Sequence, residues 1–311
     1  MRRRSSALGL LLILAIGAIS NSAHSSEKNS TKAYRDINAI GHRVIGHQYG
    51  FGNWYSLDKE KEIGTQASAA FEKSTPLLHD SILQAYLDRL AQTIAQNSDS
   101  QLPITLRVID SNDTYAVTLL GGYQYISRGL ILQLRNEGEL AAAVSRGIAH
   151  TALRSVTGEA TRSNLARIAT IPLIFTGQDG VGANSTNPDV TVPLTFMKFR
   201  REDESAADYS GIQYLYKSGY DPECFIAFIQ KAWPPTSGTS ATAKAFSPFP
   251  PLSERVKALE QEIGEVLPKR NGAITDTYEF AAFRKHLVSL TPLKPLPPRP
   301  TLVRSDTQQP N

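Results

Sequence analysis

A chain of 311 residues has room for one large domain or two small ones, and 41% hydrophobic against 20% charged residues is the balance of a folded protein. The formal charge of +4 leans on Arg2, Arg3 and Arg4; without them 30 basic residues face 29 acidic ones. So even a balance argues against nucleic-acid binding and gives no electrostatic case for an anionic membrane.

Those three arginines open a secretory signal over residues 1–23. An apolar run from Ala7 to Ile19 follows them, and then the small residues Ser20, Ser22 and Ala23 suited to cleavage. The run falls short of the roughly 20 residues a bilayer span needs. A periplasmic or secreted protein is expected, with no integral membrane span once the signal is removed. No Cys follows the run, which argues against lipoprotein processing. The single thiol, Cys224, has no internal disulfide partner and is expected to be buried and inert.

Residues 24–54 form a polar, Gly-rich extension. Its GHRVIGH segment (41–47) would offer His42 and His47 to a metal if it were helical, but Gly46, Gly50 and Gly52 favour a loop. A helix is expected from Ser56 to Ser74, with Asp58, Glu60 and Glu62 in its first turns, as the helix dipole prefers. A second runs from Ser81 to Gln96, where Ile82, Ala85, Tyr86, Leu90 and Ile94 recur at helical spacing. LPITLRVID (102–110) alternates and is β-branched, so it reads as a strand; GGYQYISRGLI (121–131) is a second strand entering a turn, with a bend at NDTY between them.

From Asn136 to about Ile174 the pattern predicts one long helix, opened by Glu137 and Glu139. Gly147 sits in its middle at a cost of about 1 kcal/mol relative to Ala. Residues 177–190 read as a loop and 201–218 as a helix stopped by Gly219 and Pro222. Residues 234–251 read as another loop. Ser253 is expected to cap a helix with Val256, Leu259, Ile263 and Val266 on its inner face. The Pro-rich stretch over 291–311 is expected to be a disordered, polyproline-like tail. The sum is an α+β domain over 55–290, mostly helical, with a small β-sheet beside the helices.

The chemistry-bearing stretch is ELAAAVSRGIAHTALR (139–154). It has the frame of a zinc-protease helix, in which H-E-x-x-H places two His ligands at i and i+4 and a general-base Glu between them. The corresponding five residues here are Arg146, Gly147, Ile148, Ala149 and His150.

The order of segments resembles the BepA-like and HtpX-like zinc metallopeptidases of peptidase family M48, relatives of the CAAX prenyl protease. The matching segments are YSLDKEKEIG (55–64), LGGYQYISRGL (120–130), NEGELAAAVSRGIAHTALR (136–154), FMKFRREDESAADYSGIQYLYKSGYDP (196–222) and FSPFPPLSER (246–255). The resemblance implies a zincin-like domain. It carries the second His ligand onto His150, the Glu ligand onto Glu204 and a supporting, non-ligating Asp onto Asp208. The first His ligand falls on Arg146, the catalytic Glu on Gly147, the His of a Thr-His-Pro motif on Phe249, and an Asn beside the Gly-Gly strand on Tyr115.

A hydrolytic zinc site needs three protein ligands and one open position. Only His150 and Glu204 stay in register, and a guanidinium, protonated at any physiological pH, cannot be the third. Loss of the general base alone removes about 10²–10⁴-fold in rate. The expectation is therefore a site with no catalytic residue, no cofactor, and an ion pair of Arg146 with Glu204 or Asp208 where relatives hold zinc. The implied function is a pseudoprotease that serves as a binding or chaperone-like scaffold in envelope protein quality control. Its partners would be unfolded or envelope proteins and peptides, which add to a strand edge beside the site helix. The alternative is a zinc metalloendopeptidase with an atypical site built from His150, Glu204 and Asp208. Ordinary structural readings remain beside these: His150 as a hydrogen-bonded interior His, and Glu204 with Asp208 as a solvated acidic face beside Arg200 and Arg201.

Overall fold

The computed structural model describes residues 35–46, 53–162, 174–176, 194–233 and 249–290, with backbone alone for 159–162, 174–176 and 194–200. The signal at 1–23, His47, the loop at 177–190, most of that at 234–251 and the tail at 291–311 lie outside the described residues. Among the described residues no helix is long and apolar enough to cross a membrane.

The fold is α+β and mostly helical. Helix α1 (Leu57–Ser74) starts at Ser56, whose hydroxyl accepts from the Lys59 N–H; α2 (Ser81–Gln96) starts at Asp80, whose carboxylate accepts from Ile82 and Leu83. Both caps satisfy N–H groups that a helix start leaves without partners. Strand β1 (Thr105–Ile109) follows, then β2 (Ala116–Thr118) and β3 (Tyr123–Ser127). Next come α3 (Arg128–Gln133), α4 (Glu137–Ala152), α5 (Ser155–Arg162) and strand β4 (Ile174–Thr176). The chain continues through α6 (Leu194–Lys217), α7 (Glu223–Ala232), α8 (Leu252–Glu265) and α9 (Tyr278–Ser289).

The sheet has the order β1-β3-β2-β4. β1 runs parallel to β3, with Thr105 opposite Tyr123, while β2 is antiparallel to both β3 and β4, with Val117 opposite Tyr125 and Phe175. β2 follows the NDTY bend, in residues the sequence reading left without an element; three residues are too few for alternation to declare a strand. β4 pairs along the outer edge of β2, so strand addition at that edge requires β4 to leave. On the far side, Leu78 N–H donates to Val108 and Asp110 N–H to Pro76, which ties β1 to the chain ahead of α2.

Helix α4 is the axis of the molecule: all of its residues from Glu137 to Ala152 are buried. One side meets the sheet through Leu106, Val108 and Ile126, and the others meet α2, α6 and α7. A second cluster, with Tyr115, Val117 and Tyr125, fills the opposite sheet face under α1. A helix buried all round forces every polar group on it to find a partner. Glu137 accepts from Tyr86 at 2.9 Å and Tyr220 at 2.5 Å; Glu139 is held by Arg135 and Lys231.

The long helix read over 136–174 is two helices and a strand. α4 ends at Ala152, Arg154 takes φ 54°, and α5 restarts at Ser155. The break is held by tertiary contacts. Arg154 Nε donates to buried Glu60 at 2.8 Å and its Nη2 to the Tyr55 carbonyl at 2.6 Å. Other boundaries also move. The helix read over 201–218 begins at Leu194, and Pro251 rather than Ser253 stands at the N-cap of α8. Part of the extension assigned to 24–54 belongs to the core. Ile40 and Ile45 are buried in it, and Arg43 binds Asp99 at 2.6 Å and Gln213 at 2.6 Å.

Candidate functional site

The site forms where α6 crosses α4. A Cβ on Gly211 would lie 3.1 Å from the Arg146 Cα and 2.9 Å from the Phe225 ring, so only glycine admits so close a crossing. That crossing brings Glu204 and Asp208, which share one face of α6, against Arg146 and His150, which share one face of α4.

Arg146 is fully buried. Its Nε donates to Asp208 Oδ1 at 2.8 Å, and its Nη2 pairs with Glu204 Oε2. A second guanidinium enters from α8: Arg255 Nε donates to Asp208 Oδ2 at 2.6 Å and its Nη2 to Oδ1 at 2.8 Å. Trp233, at the end of α7, stacks with both cations; the guanidinium carbons of Arg146 and Arg255 lie 4.8 and 4.1 Å from its ring centroid. Cation–π contacts of this kind gain strength where water is excluded. Phe249 packs on the same indole with ring centroids 5.6 Å apart.

The electrostatics follow from this pairing. Burial pushes the Asp208 carboxyl up, but Arg255 and Arg146 outweigh it and hold the group below the ordinary carboxylate range. Burial likewise pushes Arg146 down, and Glu204 with Asp208 reverse the effect. Both partners are thus held in their charged forms. His150 Nδ1 lies 3.4 Å from Ser155 Oγ, and its Nε2 lies 3.7 Å from Glu204 Oε2.

At Gly147, where the resemblance sets the general base, the space is taken. A Cβ on Gly147 would lie 2.6 Å from Gln124 Oε1 and 2.7 Å from its Cδ. Gln124, from β3, is buried, and its amide fills the volume that a side chain at 147 would need.

Arg146, Glu204, Asp208, His150, Gly147 and, through Trp233, Phe249 therefore come together. Tyr115 does not; it packs with Val117 and Tyr125 on the sheet face turned away from α4. Sequence reasoning missed Gln124 and Trp233, and it noted Arg255 only as a motif residue. A Trp directly before a Pro-rich stretch and a Gln on an alternating strand carry no local signal of partnership.

Arg146, which the resemblance sets at the first-ligand position, is a guanidinium paired with both Glu204 and Asp208. Among the described residues, no three His, Cys, Asp or Glu side chains are grouped so as to hold a metal ion. Several buried donors also lack an acceptor: Arg146 Nη1, Arg255 Nη1, Trp233 Nε1 and Gln124 Nε2. Unfilled N–H donors call for an acceptor oxygen, the opposite of what a cation supplies.

The model for Peptidase family M48 matches residues 81–263 of this chain. The putative beta-barrel assembly-enhancing protease of Vibrio cholerae is 27% identical over 188 residues, covering 58% of this chain and 39% of the relative. The beta-barrel assembly-enhancing protease of Yersinia pestis is 22% identical over 241 residues, covering 75% and 49%. The mitochondrial metalloendopeptidase OMA1 of Schizosaccharomyces pombe is 26% identical over 229 residues, covering 70% and 65%. The chain spans less than half the length of the first two of these relatives.

Proposed function

Because the chain belongs to peptidase family M48, we propose that it keeps the metallopeptidase frame without the hydrolytic chemistry and acts as a chaperone-like scaffold that binds polypeptides in the cell envelope. One observation carries this reading. Arg146 stands at the position of the first metal ligand and is bonded to both Glu204 and Asp208. A fixed cation there offers no lone pair and repels Zn²⁺, and it engages the acids a metal would need. The Gly147–Gln124 contact supports the reading independently, since neither residue can take a proton from water.

The envelope assignment rests on the signal-like residues 1–23 and on relatives named for β-barrel assembly. The polypeptide partner follows from the family's substrate class. With β4 on the outer edge of β2, that edge does not supply the contact surface.

The test is metal analysis of the purified protein after exposure to zinc, followed by incubation with β-casein. The reading expects substoichiometric zinc, intact casein and retention of casein on the immobilised protein. Zinc near about one ion per chain, with casein cleavage that a chelator stops, would overturn it in favour of an atypical site using His150, Glu204 and Asp208.

A further inference from the structure

A cleft of about 380 Å³, large enough for a small molecule, lies between α9 and the turn that joins α3 to α4. Arg135, Arg284 and Lys285 line it, and Asp276 is the one acid among its lining residues. None of these four belongs to the Arg146 site.

Each of the three cations has bonding capacity left over. Lys285 is exposed and has no hydrogen-bond or ion-pair partner among the described residues. Arg135, with its side chain 71% exposed, spends its Nε on Glu139 at 3.0 Å and keeps both Nη groups. Arg284 donates from Nη2 to the Leu132 carbonyl at 2.8 Å, which fixes its guanidinium against α3. The acids bonded to these lining residues are already engaged. Glu139 is buried and shared with Lys231, and buried Glu137, whose N–H donates to Asp276, accepts from Tyr86 and Tyr220. Apolar surface lies beside the cations. Ala281, Lys285 and Val288 share one face of α9 by helical spacing, Val288 is 63% exposed, and buried Phe280 completes the lining.

Unspent guanidinium and ammonium donors call for an anionic acceptor, and a planar carboxylate matches the guanidinium fork. The apolar strip calls for a hydrocarbon body on the same molecule. Asp276 in the wall disfavours a second negative charge, so a monoanion suits the cleft better than a dianion. We propose that the cleft between α9 and the α3–α4 turn binds a monocarboxylate with an apolar chain, of the fatty-acid class. Its head group pairs with Arg135, Arg284 and Lys285, and its chain lies along Ala281 and Val288. The inference goes beyond the scaffold reading and does not depend on it.

The test is titration calorimetry of the full chain with octanoate at neutral pH. Octanol serves as the control with the chain and no charge, acetate as the control with the charge and no chain. Saturable octanoate binding is expected, with each control weaker by about tenfold or more. Two exposed positions then locate the site. Lys285→Glu should weaken octanoate binding by about tenfold and Lys285→Arg should retain it. Val288→Ser should weaken octanoate and leave the response to acetate unchanged. Urea midpoints equal to that of the wild type confirm that each variant is folded. Absence of saturable octanoate binding overturns the proposal. So does octanol bound as tightly as octanoate, or octanoate binding that neither Lys285→Glu nor Val288→Ser alters. None of these outcomes bears on casein retention or zinc content, so failure here leaves the scaffold reading standing.

Discussion

Arg146 and Arg255 share one acceptor: Nε of the first and Nη2 of the second each lie 2.8 Å from Asp208 Oδ1. Two cations 109 residues apart in sequence are tied to one carboxylate, so each stabilises the position of the other.

The ion cluster should behave as a unit. Arg146→Ala leaves Glu204 and Asp208 buried with one cation fewer, a change expected to cost roughly 3–5 kcal/mol. Arg146→Ala with Glu204→Gln should recover part of that loss. Urea unfolding of the wild type, both single variants and the double variant measures the coupling; strict additivity would contradict it.

Position 147 should be coupled to position 124. Gly147→Glu drives a side chain into the Gln124 amide and is expected to destabilise by about 1–3 kcal/mol, as overpacking does. Gln124→Ala in the same chain should relieve most of it. Restoring the motif by Arg146→His with Gly147→Glu is therefore expected to bind zinc only when Gln124 is shortened as well. Zinc titrations of the two-residue and three-residue variants decide this.

Acid stability should depend on Glu139 and Glu60 with opposite signs. Burial pushes the Glu139 carboxyl up, but Lys231 and Arg135 outweigh it and leave it below its ordinary value. Its contribution is full above the unfolded carboxylate value of about 4.3 and is lost as pH falls through the lower folded value. Burial raises the Glu60 carboxyl, and Arg154 offsets this only in part. Its contribution is full below that unfolded value and is lost as pH rises through the higher folded one. Acidification from about pH 6 to pH 3 should therefore cost Glu139→Gln less stability than the wild type and Glu60→Gln more. Urea midpoints across that range with identical slopes for all three proteins would contradict the assignment.

Cys224 should be inert until the protein unfolds. Its Sγ packs so closely on Gly138 that a Cβ there would lie 2.5 Å away, and burial, with Asp221 and Glu139 nearby, pushes the thiol up to about 12. Reaction with a disulfide reagent at neutral pH is expected to follow the fraction unfolded in urea. Rapid labelling of the native protein would contradict the packing.

The parts of the fold visible in the sequence were those governed by local rules. α2 ends where its apolar spacing ends, at Gln96, and α1 starts at a Ser with acidic residues behind it. The α4 and α6 positions were legible through the family resemblance, and helical spacing was consistent with it, since 146 and 150, like 204 and 208, share a face. What stayed hidden depends on contacts far along the chain. Nothing near Arg154 signals a positive φ; the break exists because Glu60 and Tyr55 hold that side chain. α9 went unread although Thr277 caps it and Phe280, Phe283 and Leu287 bury one face. Gln124 looks like an ordinary strand residue until α4 is laid across it at Gly147.

The α4–α6 crossing at Gly211 separates two things that usually change together. The helices touch through the Arg146 Cα, an atom every residue at that position would share. The spacing of the frame is thus insensitive to which side chain position 146 carries, while the charge pattern around Asp208 depends on it entirely. A chain built this way can exchange one chemistry for another at that residue without renegotiating how its helices pack.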